Sequence, residues 1–302
     1  MSPILLAVAP IFGLILIGFA LRRVEFPGPG FWPVSERLTY YVLFPALLVG
    51  GLSGRDFDQS AVGLAATLFA SVCLAAGGLL AVRRWLPVSG PAFTSVFQGA
   101  IRPNTYVGMS AAAALLGPDW MTLSAVALLT LVPLVNVLCV LVLARHGVNG
   151  GGARRTALEL AKNPLILACV AGFALNGLDI ALPVVVDDLL SIMGKAALPM
   201  GLLAVGAGLR GEGLRDSVLP VATASTLHLI LLPLVAFGCA EALGLDAVSR
   251  QAALIYTAVP VSVSAFILAR QMGGDHRLMA LIITFQTLVS ALTLPLVLAL
   301  LG

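Results

Sequence analysis

The sequence predicts an all-α integral membrane protein of ten transmembrane helices in two inverted five-helix repeats. Composition, run length and proline spacing lead there. Of the 302 residues, 60% are hydrophobic and 10% charged, with a mean hydropathy of +1.05. That leaves too few polar side chains to cover a soluble globule. The apolar residues form runs of roughly 20, the length a helix needs to cross the hydrocarbon core. Prolines recur at a near-constant spacing between the two halves, and two of them interrupt otherwise continuous runs.

Taken in order, the first span covers 2–21 and is followed by Arg22 and Arg23. Positive charge after the apolar run is the reverse of a signal peptide, so a retained helix is expected. The second covers 37–53 with Pro45 inside it, and the third covers 60–82, ending at Arg83 and Arg84. The fourth, 93–116, has Pro103 at its middle; the fifth, 121–144, contains Pro133. Residues 145–162 form a basic connection around Gly150-Gly151-Gly152, expected to be a cytoplasmic linker that meets anionic lipid head groups. The sixth span, 163–182, opens at Pro164, and the seventh, 188–209, holds Lys195 and Pro199. The eighth, 217–240, contains His228; the ninth, 248–270, has Pro260 at its middle; the tenth, 276–301, contains Pro295.

Pro3, Pro45, Pro103 and Pro133 pair with Pro164, Pro199, Pro260 and Pro295. The common spacing marks residues 1–144 and 163–302 as one unit written twice. Five spans per unit is an odd number, so the second repeat lies upside down relative to the first. Thirteen lysines and arginines, from Arg22 to Arg277, fall on the connections after the odd-numbered spans, against Arg55 and Arg250 on the other side. The basic side is cytoplasmic and both termini are external. A net charge of +3 reflects this asymmetry and gives no reason to expect nucleic acid as a partner.

Proline in a helix interior removes a hydrogen bond and clashes with the preceding turn, so spans 4 and 9 should break near the bilayer midplane. The freed backbone must face protein or a water-filled cavity. Asn104 and Thr105 are suited to cap the second half of span 4, with Tyr106 following, and Ser262 and Ser264 stand in capping range of the second half of span 9. Two half-helix N-termini meeting at one depth favour an anion. Arg102, beside the first break, adds a charge that must face the interior; it either meets the ligand or binds the orphan carbonyls of the first half-helix. Lys195 has two readings, snorkelling toward Asp187 or Asp188, or a role at the site. His228 is either a hydrogen-bonded structural group or a proton carrier. Asn136 and Gln286 either bridge helices or line the path. No carboxylate falls near the middle of any expected span. The four cysteines sit singly in separate spans, so neither a metal site nor a cofactor is expected.

Several segments carry a resemblance that covers the whole chain. They are Arg102-Pro103-Asn104-Thr105-Tyr106 with Gly108, Val132-Pro133-Leu134-Val135-Asn136 and Lys162-Asn163-Pro164. Pro199 through Leu209, Ala258-Val259-Pro260 with Ala269, and Ser290 through Pro295 complete the set. Together they resemble the auxin efflux carrier family, whose relatives include malonate and malate carriers and, more distantly, bile acid:sodium symporters. The resemblance implies a scaffold of helices 1, 2, 6 and 7 and a transport domain of helices 3–5 and 8–10. It also implies elevator-type carriage of small organic anions bound where helices 4 and 9 cross, in a bacterial inner membrane, with room for a homodimer through the scaffold helices. Asn104 matches the asparagine that meets the substrate carboxylate in plant members. Two departures stand out. Met109-Ser110 follow Gly108 where many members have a proline, and serines flank Val263 where some relatives carry an asparagine. The alternative is a sodium-coupled symporter of larger amphipathic anions of the bile acid type. An enzyme lacks the motifs it would need: there is no His-Glu-x-x-His, Gly-x-Ser-x-Gly or nucleotide-binding loop.

Overall fold

The computed structural model describes residues 3–28, 30–53, 60–147, 162, 164–209 and 217–302. Most of the expected linker lies outside the described residues, as do Arg55, Arg154, Arg155, Arg210 and Arg215 of the charge count. The first half contains α1 (Pro3–Arg23), α2 (Phe31–Leu38), α3 (Phe44–Leu52), α4 (Ser60–Ala81), α5 (Gly90–Ile101), α6 (Thr105–Leu115) and α7 (Trp120–His146). The second contains α8 (Pro164–Gly177), α9 (Val184–Ala207), α10 (Val218–Thr226), α11 (Leu232–Ala242), α12 (Ala247–Ala258), α13 (Ser264–Met272) and α14 (His276–Leu301). No strand occurs among the described residues beyond one isolated bridge. Six segments are long and apolar enough to cross a membrane: 4–23, 61–81, 117–146, 184–207, 218–242 and 276–301. The others are short because the chain interrupts them or because they begin in polar sequence.

The interruptions follow from proline. The helix pairs α2/α3 and α10/α11 are each joined by a π turn, Thr39–Leu43 and Leu227–Leu231, with no loss of direction. In each, a proline follows two residues later, Pro45 and Pro233. A proline cannot donate to the carbonyl four residues back and its ring crowds that carbonyl; a wider turn removes the conflict without breaking the helix. Pro103 and Pro260 are accommodated differently, by a stop. α5 ends at Ile101 and α6 starts at Thr105; α12 ends at Ala258 and α13 starts at Ser264. Polar caps fix the outer ends of the broken segments. The Ser89 hydroxyl accepts from the Ala92 N–H, and the Asp246 carboxylate accepts from those of Val248 and Ser249.

α1 lies along α9, α3 packs on α8 and α9, α4 on α7 and α11, and α5 on α7, α10 and α14. The α1/α9 contact is built on glycine. A Cβ on Gly18 would stand 2.1 Å from the Leu203 carbonyl oxygen, and one on Gly206 would stand 1.8 Å from that of Ile15. Backbones that approach this closely give dense van der Waals contact where no hydrophobic effect operates between helices.

Most helix limits lie within a few residues of those read from hydropathy, and 276–301 coincides. The second span is the clearest correction. It begins at Phe31 instead of 37, because Ser35, Glu36 and Arg37 lower the local hydropathy of a segment that is nonetheless helical. α8 also stops at Gly177, short of 182.

Candidate functional site

The two breaks touch through their main chains. Pro103 and Val261 form an antiparallel bridge: the Asn104 N–H donates to the Pro260 carbonyl at 2.8 Å, and the Ser262 N–H donates to the Arg102 carbonyl at 3.1 Å. This satisfies the groups that proline frees, which otherwise cost about 1–3 kcal/mol each when buried. A second layer lies behind the crossing. The Gln286 side-chain amide donates to the Gly99 carbonyl at 2.8 Å, and its oxygen accepts from the Val261 N–H at 2.9 Å. His228 Nε2 is 2.7 Å from the Val259 carbonyl, which can only accept, so this nitrogen donates there. Both side chains are fully buried. Gln286 thus ties the second break to the first half-helix, and His228 is hydrogen-bonded to the backbone beside the second break.

Asn104 is the N-cap of α6. Its Oδ1 accepts from the N–H groups of Tyr106 at 3.1 Å and Val107 at 3.3 Å, while its buried Nδ2 has no partner. The opposite half-helix departs from expectation. Val263 occupies the N-cap of α13 without a side-chain bond, and Ser262 Oγ only accepts weakly from the Ser264 N–H at 3.4 Å. Ser262 and Ser264 are instead linked through their hydroxyls at 2.9 Å, and Arg102 Nε donates to Ser264 Oγ at 3.3 Å. The breaks thus consume most of their own N–H groups. Among the buried side-chain donors here, Asn104 Nδ2 and Arg102 Nη1 have no partner. Arg102 also lies against the Cys139 thiol of α7.

A cavity of about 880 Å³ opens onto this crossing. Arg102, Pro103, Asn104, Thr105, Tyr106, Ser262, Ser264 and Asn136 all line it. Pro260, Gln286 and His228 do not; they support it from behind. Lys195 is exposed on α9, away from the cavity. α7 supplies an apolar wall through Leu128, Leu131, Val132 and Val135, and α13 adds Ile267 and Leu268. The facing wall is the one hydropathy concealed: Pro33, Glu36, Arg37, Tyr40 and Tyr41. These five follow the i, i+3, i+4, i+7, i+8 spacing of one helix face, which is the signal that reveals them. Lys162 and Gln271 stand at the same mouth. The Tyr106 ring stacks on Phe44 of α3, with centroids 4.8 Å apart and planes 11° from parallel. Gly201 of α9 lets this pair approach, since a Cβ there would stand 3.2 Å from both rings.

Charge at the crossing is one-sided. Neither α6 nor α13 carries a carboxylate, Arg102 is cationic, and both first turns point their positive dipole ends at the break. Among the described residues no cluster of histidine, cysteine and acidic groups suits a metal ion.

Residues 153–298 match the model of a family described as membrane transport protein. A Rhizobium meliloti protein provisionally named a malonate transporter is 26% identical over 311 aligned positions, covering 95% of this chain and 92% of that one. An uncharacterized transporter of Methanothermobacter thermautotrophicus is 24% identical, covering 94% and 93%. The chain is thus similar to transporters over nearly its whole length, and its second half to a membrane transport family. The family resemblance expected from the sequence is upheld, and the matched family and both relatives are described as transporters, not as enzymes. Both relatives align over nearly their full lengths, so the crossing and the helices around it fall within the shared region.

Proposed function

We propose that the transporter carries small organic anions, carboxylates, by elevator-type alternating access, with the anion bound at the crossing of its two interrupted helices. The observation that carries this reading is the pair of unpartnered donors, Asn104 Nδ2 and Arg102 Nη1, beside a cavity whose broken helices hold no neutralising acid. The name of the Rhizobium meliloti relative supports a carboxylate. In this reading ten spans form two inverted repeats, 1–144 and 163–302, joined by the linker 145–162. Helices 1, 2, 6 and 7 are the scaffold, which can also pair two copies. Helices 3–5 and 8–10 move. The packing of α1 and α3 on α8 and α9, and of α4 and α5 on α7, α10, α11 and α14, supports that division. The membrane is the bacterial inner membrane with both termini outside. With that orientation, Arg37, Lys162 and Gln271 of the cavity lining lie toward the cytoplasmic side.

One observation favours a sodium-coupled carrier of a larger amphipathic anion as the second reading. A cavity of about 880 Å³ with an apolar α7 wall exceeds what a three-carbon diacid fills. Counterflow in proteoliposomes against mono- and dicarboxylates, with and without sodium and a proton gradient, tests both. Sodium-independent exchange of a short carboxylate supports the first. Exchange of no carboxylate overturns it.

A further inference from the structure

The cavity has a second pole. We infer that Glu36, flanked by the Tyr40 and Tyr106 rings, receives a protonated amine, so that the preferred cargo is a carboxylate that also carries an amino group. This rests on the reading that the crossing holds the carboxylate.

Among the described residues, Glu36 is the one carboxylate that lines the cavity. It is half-buried on α2, one turn before Tyr40, and both it and Tyr40 are close enough to Tyr106 to act on it electrostatically. Nothing neutralises it among the described residues. Arg37, its neighbour in the chain, and Lys162 at the mouth are exposed and make no ion pair with it. Arg102 is engaged through Nε with Ser264. α9, which packs along α2, keeps Asp187, Asp188 and Lys195 on its exposed surface.

An unpaired carboxylate in a wall of apolar and aromatic groups favours a cation and penalises a second anion. The nearby tyrosine rings offer cation–π attraction to an ammonium. A ligand held by its carboxylate at Asn104 and Arg102 extends its far end toward α2. A diacid brings a negative charge to Glu36, a simple acid brings nothing, and an amino acid brings the complementary charge. The two poles thus select by charge at both ends of the ligand.

The test is titration calorimetry at neutral pH on the full chain in lipid nanodiscs, with length-matched sets: β-alanine, propionate and malonate, then 4-aminobutyrate, butyrate and succinate. At least one amino acid should bind about tenfold or more tighter than both of its matched acids, and Glu36→Gln should remove that advantage while Glu36→Asp keeps most of it. A diacid or simple acid that binds as tightly as its amino counterpart in both sets overturns the amine site and leaves the carboxylate reading standing. If none of the six binds, the carboxylate reading fails and this one with it. Should Glu36→Gln not fold, the wild-type ranking alone decides.

Discussion

The Asn104 amide and the Pro260 carbonyl are joined by a 2.8 Å hydrogen bond, so the two proline breaks complete each other. Each proline removes a donor from its own helix, and the other break supplies partners for what is left exposed. That mutual satisfaction turns two local defects into one fixed site.

Asn104 performs two tasks with opposite ends of its amide, so two substitutions separate them. Asn104→Ala loses the cap and the free donor: about 1 kcal/mol of stability, and roughly ten- to more than hundredfold in affinity for the transported anion. Asn104→Asp keeps an oxygen to cap Tyr106 and Val107 but replaces the donor with a negative charge. It should unfold near the wild-type temperature and bind the anion at least about tenfold more weakly. Calorimetry paired with thermal unfolding reads both, and equal affinity in Asn104→Ala would remove the site assignment.

Arg102 contributes charge and a directed bond to Ser264. Arg102→Lys retains the charge and loses the planar fork. Its affinity loss should stay within about tenfold, while Arg102→Gln loses about tenfold more. Ser264→Ala should be milder than either, because only one contact to Nε disappears. A lysine variant as weak as the glutamine variant would show that the fork touches the ligand directly.

Behind the crossing, Gln286→Leu leaves the Gly99 carbonyl and the Val261 N–H without their partner, at about 1–3 kcal/mol for each group. The midpoint of thermal unfolding should fall clearly. His228→Gln retains a donor for the Val259 carbonyl, so flux should persist with an unchanged pH profile. Loss of flux at normal folding would instead make the ring a proton carrier.

Gly206→Ala inserts a methyl where the Ile15 carbonyl oxygen already stands. Overpacking of this kind costs about 1–3 kcal/mol or more, and α1 must move off α9. Gly13→Ala on α1, where a Cβ meets nothing within 4 Å, is the control and should leave the melting temperature unchanged or raised. Equal melting temperatures for the two would contradict the close contact.

Topology is read by cysteine labelling in a cysteine-free background. A cysteine at Asp119 should react with an impermeant thiol reagent from outside the cell, and one at Pro87 only after permeabilisation. The opposite pattern would invert the assigned orientation and place the cavity mouth outside.

The breaks were legible because proline acts locally: its missing N–H and its ring disfavour the helix at Pro103 and Pro260, and the small or polar residues that follow do not restore it. Asn104 as a cap was legible for the same reason. The state of the freed donors was not, because their partners come from the other break and from Gln286, 25 residues beyond Val261. Pro45 and Pro233 show how the same residue yields a π turn in place of a stop when the helix continues with apolar neighbours. The wall containing Glu36 escaped because a hydropathy window averages Ser35, Glu36 and Arg37 with what precedes them, whereas the face they form is seen only at helical periodicity. Lys195 is the reverse case: its depth in the sequence left a role at the site open, and its side chain lies exposed on α9, outside the cavity lining.

A crossing held by main-chain atoms has a further consequence for descent. Neither the bridge at Pro103 and Val261 nor its two hydrogen bonds depends on which side chains stand at 105, 262 or 264. Those positions can be exchanged by mutation without loosening the frame that presents them. Lineages sharing this architecture are therefore free to acquire new cargo through a few substitutions, while the machinery that moves it stays the same.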